Sequence, residues 1–208
     1  MPVRGPKDNI ALLDWLRYAS SQNGESMQHA KRLKVDFVAI DVETACADRS
    51  SICQIGIAVF QQGKMVRCEG RLIDPETPFL AFNSNLHGIV SEHVAGAPTW
   101  KIAYPVLREW LSNRTLVSHT YFDRVALLAA CRRYQLEMFP YVQWVDSCEI
   151  ARRAWPHLSN HKLTSLAEHF KMEYRAHDAA EDARVAGEIL LLAKATASET
   201  RSVQKVVR

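Results

Sequence analysis

The chain has 208 residues, 48% hydrophobic and 24% charged, which suits one domain with its own core and at most a small appendage. A net charge of +3 excludes a dominating basic field, so the charge balance permits a nucleic-acid partner without announcing one. Cys46, Cys53, Cys68, Cys131 and Cys148 are never spaced C-x-x-C, which argues against a thiolate zinc site and a disulfide framework and for a reducing compartment.

No apolar run approaches membrane-spanning length. Met1 to Asn9 is charged, with no signal-type apolar segment behind it, so the expected setting is cytoplasmic. In chain order, Leu12, Trp15, Leu16 and Ala19 recur at helical spacing after a candidate N-cap at Asp8 or Asn9. Residues 1–34 are therefore expected to be an N-terminal helical extension. It is read as packed on the main domain, with a homodimer surface as the alternative.

The main domain is expected over residues 35–195. Val35 to Glu43, Ile52 to Gln61 and Met65 to Ile73 read as a three-strand meander, with a turn at Gln62-Gly63. A short helix capped by Ser91 should follow His87-Gly88-Ile89. Thr99 should cap a helix running to Leu111, with Pro105 implying a kink or a late start. Leu116 to His119 and Trp144 to Asp146 read as short strands. Helices are expected over Tyr121–Tyr134, Glu149–Trp155, Leu163–Phe170 and Ala179–Ala193, and residues 196–208 as a frayed, polar, basic tail. Strands first, then alternating strands and helices, indicate an α/β domain with a mixed sheet.

Four carboxylates stand out against this pattern. Asp41 and Glu43 lie two apart at the end of an apolar strand and so point to one face. Asp123 falls in line with Ala126, Leu127, Ala130 and Tyr134, and Asp182 with Val185, Ala186, Ile189 and Ala193. Each helix thus aims one acid inwards, where an ionised carboxylate is costly unless paired or metal-bound. Should the four converge, all-oxygen ligation suits Mg²⁺ or Mn²⁺, and two ions sharing Asp41 is the arrangement of phosphodiester hydrolysis. His177 precedes Asp182 by five residues and shares no helical face with it, which places it on the loop entering the helix. A histidine there is suited to accept a proton from water; a surface or capping histidine is the alternative. Of the aromatic residues near these acids, Phe122 and Trp100 are read as core and Tyr121 is left open between packing and base stacking. His157 and His161 lack cysteine partners and are not read as a zinc site.

Asp41-Val-Glu43-Thr44, Val117-Ser-His119-Thr-Tyr-Phe122-Asp123 and His177-Asp-Ala-Ala-Glu-Asp182-Ala resemble the three motifs of the DEDDh group of DnaQ-like exonucleases. That superfamily is typified by the proofreading epsilon subunit of bacterial DNA polymerase III, and the likeness is nearest to its stand-alone bacterial homologues. His87-Gly88-Ile89 and Asn160-His161-Lys162-Leu163 extend the likeness, whereas Thr120 stands where many members carry Asn. The resemblance implies a ribonuclease H-like fold with a central mixed five-stranded sheet and a two-metal 3′–5′ exonuclease. It implies Asp41, Glu43, Asp123 and Asp182 as metal ligands, His177 as general base, and Thr44 and His87 as contacts to the terminal nucleotide. The expected substrate is a single-stranded DNA 3′ end, hydrolysed to nucleoside 5′-monophosphates. An RNA 3′-end exonuclease (RNase T-like or oligoribonuclease-like) and an inactive nucleic-acid-binding scaffold are the alternatives.

Overall fold

The computed structural model describes residues 36–206; the expected N-terminal extension lies outside them. Five strands form one mixed sheet in the order β3-β2-β1-β4-β5. β1 (Phe37–Thr44), β2 (Ile52–Gln61) and β3 (Lys64–Leu72) are the antiparallel meander; β4 (Thr115–Ser118) and β5 (Gln143–Asp146) add in parallel beyond β1. Antiparallel neighbours need only a short turn. The parallel pair needs a crossover, supplied here by a helix. α1 (Ala81–His87) and α2 (Trp100–Leu111) follow β3, and α3 (Phe122–Arg133) joins β4 to β5. α4 (Ser147–Ala154), α5 (Leu163–His169) and the long α6 (Ala179–Val206) complete the chain. No helix among the described residues is long and apolar enough to cross a membrane.

The central strand has two different faces. Val38, Ile40 and Val42 pack with Trp100, Leu107, Leu127 and Phe139 against the α2–α3 layer. Phe37 and Ala39 pack with Phe60, Val117, Ala183 and Leu190 against α6. That second face turns acidic at the C-terminal end of the strand, where Asp41 and Glu43 take the next two positions.

Two glycines let α6 lie directly on the sheet. A Cβ on Gly56 would stand 1.8 Å from the carbonyl oxygen of Ala179, and one on Gly187 would stand 2.2 Å from the Phe60 ring. Gly56 is the register partner of Asp41, so the first turn of α6 is seated beside the acidic end of β1. The exposed N–H groups of that turn are satisfied locally. Gln54 Oε1 accepts from Ala179 N at 3.2 Å, and Asp178 Oδ1 accepts from Ala180 N at 3.1 Å and Glu181 N at 3.4 Å.

The mixed sheet and the helices α2 to α5 stand where the pattern of residues places them, within one or two residues at their ends. Three local expectations need correction. The helix lies before His87-Gly88-Ile89, not after it. Ser91 bonds to Glu92, and the segment around it is a run of turns. α1 has no buried residue, so no apolar stripe marked it. α2 begins at Trp100 with Pro105 inside it, so the proline does not delay its start; Thr99 stands at the N-cap as expected, without a side-chain cap bond. Finally, α6 continues to Val206 through the segment expected to fray. The backbone stays helical there because it prolongs a helix already anchored on the sheet.

The close approach at Gly56 predicts the effect of a single methyl group. Gly56→Ala should lift the first turn of α6 off β2, at a cost of about 1–3 kcal/mol or more. Thermal denaturation should show a midpoint lower by roughly 5 °C or more. An unchanged midpoint would mean that the helix does not bear on this strand.

Candidate active site

The acids meet at the rim where the N-termini of α3 and α6, from opposite faces of the sheet, reach the C-terminal end of β1. Asp123 is 2% exposed, Asp182 6% and Glu43 8%, and Asp41 is half-buried. Asp123 Oδ1 accepts a hydrogen bond from Val42 N at 3.0 Å, which pins α3 to the backbone between Asp41 and Glu43. Asp182 accepts from the Tyr174 hydroxyl on Oδ1 and from His177 N at 3.2 Å on Oδ2. Glu43, His177 and Asp182 each offer a ligand atom within 4.8 Å of the others.

The electrostatics follow from crowding. Burial, then the charges of Asp123, Asp182 and Glu43, push the Asp41 carboxyl well above its usual range. Glu43 is raised to about 8 by burial and then by Asp182 and Asp123. Asp123 rises to about 7, chiefly through burial, against the opposing bond from Val42. Asp182 is also raised by burial, with Tyr174 and His177 pulling the other way. Like charges in a poorly solvated rim favour protonation unless a concentrated positive charge is supplied. An all-oxygen donor set of this density fits divalent Mg²⁺ or Mn²⁺, with His177 beside it.

His177 sits on the loop before α6, as its spacing from Asp182 requires, with a positive φ of 62°. Histidine is one of the side chains enriched in that left-handed region. Thr120 has a φ of 95°, an uncommon setting for a β-branched residue. Thr120 N donates to Asp146 Oδ1 at 3.2 Å, and Phe122 N donates to the Thr120 hydroxyl at 3.3 Å. Asn tolerates a positive φ more readily than a β-branched residue does.

His119 does not face the acids. Its Nε2 donates to the carbonyl of His161 at 2.8 Å, which leaves Nδ1 to accept from the Ser147 hydroxyl at 2.9 Å. It clamps the end of β4 to α4 and to the loop before α5.

Thr44 and His87 lie at the other lip. A register shift in the β1–β2 ladder falls between Glu43 and Thr44. The Thr44 carbonyl then accepts from Asn83 Nδ2 at 2.9 Å and from His87 Nε2 at 3.2 Å, while His87 Nδ1 accepts from Ile89 N at 3.0 Å. Both ring nitrogens of His87 are thus held by backbone, and burial lowers its pKa. This tether leaves the apolar side of α1 exposed, with Phe82 77% accessible. Trp100 is core, as expected, at 1% exposure. Phe122 is not: at 38% it lies on the surface, because Asp123 takes the inward position of that turn.

Sequence reasoning overlooked Tyr174, Asn83 and Gln54. A tyrosine near the expected base has no motif to mark it. The one available signal is that a half-buried phenol ordinarily finds a partner.

The raised carboxyls set a pH dependence. A carboxyl that holds its proton to pH 7–8 when folded, but ionises near 4 when unfolded, stabilises the fold most at low pH. The metal-free protein should therefore lose thermal stability progressively as pH rises from about 4 through 8. Added Mn²⁺ should restore most stability at the alkaline end; a flat midpoint over that range, with and without metal, would contradict the crowded cluster. Tyr174→Phe should weaken Mn²⁺ binding by about 10–100-fold, read by calorimetric titration, while leaving the metal-free midpoint nearly unchanged.

A family model described as Exonuclease (RNase_T) matches residues 38–190. The DNA polymerase III PolC-type protein of Latilactobacillus sakei subsp. sakei (strain 23K) is 27% identical over 210 residues, spanning 97% of this chain but 14% of that protein. Among solved structures, Exonuclease X in complex with 5′ overhanging duplex DNA superimposes with a TM-score of 0.61 at 22% identity, covering 78% of this chain and 93% of that one. The nuclease domain of 3′hExo, a DEDDh family member bound to rAMP, gives 0.66 at 18% identity, covering 76% and 91%. The fold is the ribonuclease H-like fold of DEDD nucleases. With the matched family spanning the sheet and every acid, the chain belongs to the RNase_T exonuclease family.

Proposed function

We propose that this chain removes nucleotides one at a time from single-stranded DNA 3′ ends, releasing nucleoside 5′-monophosphates. The observation that carries this reading is the gathering of buried Glu43, Asp123 and Asp182 with half-buried Asp41 beside His177. The four carboxylates would hold two divalent ions, Mg²⁺ or Mn²⁺. When bound, such ions lower the pKa of water and offset charge on the phosphodiester.

The chain's own groups then divide the work. His177 takes the proton of the attacking water as the new P–O bond forms. The bond from phosphorus to the 3′-oxygen of the shortened strand breaks, and that oxygen is protonated from solvent. Tyr174 and the backbone of His177 hold Asp182 in place, and Val42 holds Asp123. Beside His177 lies an open basin of about 450 Å³ lined by Gln54, His87, Ile89, His93 and Asp178, large enough for a terminal nucleoside. With its nitrogens held by backbone, His87 would offer a nucleotide its ring face and would fix the Thr44 backbone that lies against the strand end. Exposed Phe82 and Tyr121 supply further faces for base stacking. DNA is favoured because the curated relatives are DNA polymerases and one structural neighbour was solved on DNA. RNA ends are the second reading, because other neighbours were solved with rAMP and with a histone mRNA stem-loop. Five free cysteines suit the reducing cytoplasm.

The test uses 5′-labelled DNA and RNA oligonucleotides with Mg²⁺, Mn²⁺ or EDTA. A metal-dependent ladder shortening from the 3′ end, faster on DNA, is the expected result; a faster RNA ladder moves the substrate to RNA. Asp41→Asn should nearly abolish turnover, and His177→Ala should lower kcat by about 10²–10⁴-fold. Full activity in His177→Ala at neutral pH would remove it as the base.

A further inference from the structure

We propose that the outer face of the first turn of α3, continued by Tyr141, is a track for the single-stranded segment lying 5′ of the scissile bond. The inference rests on the exonuclease reading of the acidic rim and adds where the rest of the strand runs. The inward side of α3 carries Asp123, Ala126, Leu127 and Ala130, all buried. The outward side carries Tyr121, Phe122, Arg124 and Val125, all exposed, so three large apolar side chains face solvent one residue from an active-site acid.

Arginines are interleaved with these rings. The Arg49 guanidinium lies 4.6 Å from the centre of the Phe122 ring, and that of Arg124 lies 5.7 Å from the Tyr141 ring. Arg49 belongs to the β1–β2 loop that follows Glu43 and Thr44, so the first stack closes across the rim itself. Among the described residues neither Arg49 nor Arg124 pairs with a carboxylate, whereas Arg153, Arg175 and Arg184 do. A guanidinium lying on a ring keeps its charge and its edge N–H groups, and it presents a second flat face.

That repeat of one cation and one flat surface matches what a single strand presents with each nucleotide, one phosphate and one base. Charge points the same way. The acidic rim repels a polyanion outside the reach of its metals, so phosphates beyond the scissile one need cations elsewhere, and the track supplies two. A folded protein partner would favour a contiguous apolar centre with few charges, which this alternating surface lacks.

The test separates this proposal from the reading beneath it. Arg124→Glu changes an exposed side chain; Tyr141→Leu keeps apolar packing and removes the ring. Binding of a 5′-fluorescein-labelled dT 12-mer to the full chain would be followed by anisotropy in Ca²⁺ over a range of salt. Hydrolysis of the p-nitrophenyl ester of thymidine 5′-monophosphate, which has no strand beyond the scissile bond, would be followed in Mn²⁺. For Arg124→Glu the 12-mer affinity should fall at least about tenfold and the salt slope shrink by about one. The loss on the 12-mer should exceed any loss on the ester by the same factor, and Tyr141→Leu should weaken the 12-mer without changing the salt slope. Unchanged 12-mer affinity in both folded variants, or equal losses on the two substrates, overturns the track. Should Arg124→Glu fold poorly, Arg124→Gln decides on the same criteria. A wild-type chain that binds the 12-mer through Arg124 but never cleaves the ester counts against the exonuclease reading, and the anisotropy result still judges the track.

Discussion

Everything at the rim depends on the repulsion among carboxylates gathered where water is scarce. Two of them sit on one face of one strand, and helices from both sides of the sheet bring the others. Left to themselves they rise in pKa, as Glu43 and Asp123 do, to about 8 and about 7. A fold that keeps such a cluster carries a standing preference for a compact, highly charged cation. Asp41, Glu43, Asp123 and Asp182 would hold such a cation, which would relieve the repulsion and could offset charge on a phosphodiester.

The scaffold's contribution is positional. A helix ordinarily rides about 10 Å above a sheet because side chains lie between them. Gly56 and Gly187 remove those side chains at two contacts, and α6 settles against the strand beside Asp41. Asp182, in the first turn of that helix, then reaches the acids of β1. Asp123 reaches them from the opposite face by bonding the Val42 backbone. The acids thus depend on main-chain contacts, which neighbouring side chains perturb little. The lips of the site are built differently. α1 hangs on the Thr44 carbonyl by two side chains and buries none of its residues.

The molecule's likeness to DNA polymerase III PolC-type proteins covers 76–97% of this chain and 12–14% of those proteins. Around the rim, the surface on the α3 side is aromatic and arginine-bearing.

By itself the sequence determined the strand meander, the mixed sheet and the inward direction of Asp41, Glu43, Asp123 and Asp182. Each of these follows from a local period of two or of 3.6 residues. It also placed His177 off the helix, since five residues cannot share a helical face with Asp182. Only the tertiary structure decided the rest. It showed that the four acids meet, because their meeting depends on Gly56 lying under Ala179, a contact 123 residues apart with no periodic trace. It moved the short helix ahead of His87, because α1 is held by bonds to Thr44 and lacks an apolar stripe. It turned Phe122 outwards, because Asp123 occupies the inward place, and it supplied Tyr174 to Asp182 through a loop that no motif marks. Local periodicity tells a side chain which way to face; what it faces is set by contacts distant in the chain.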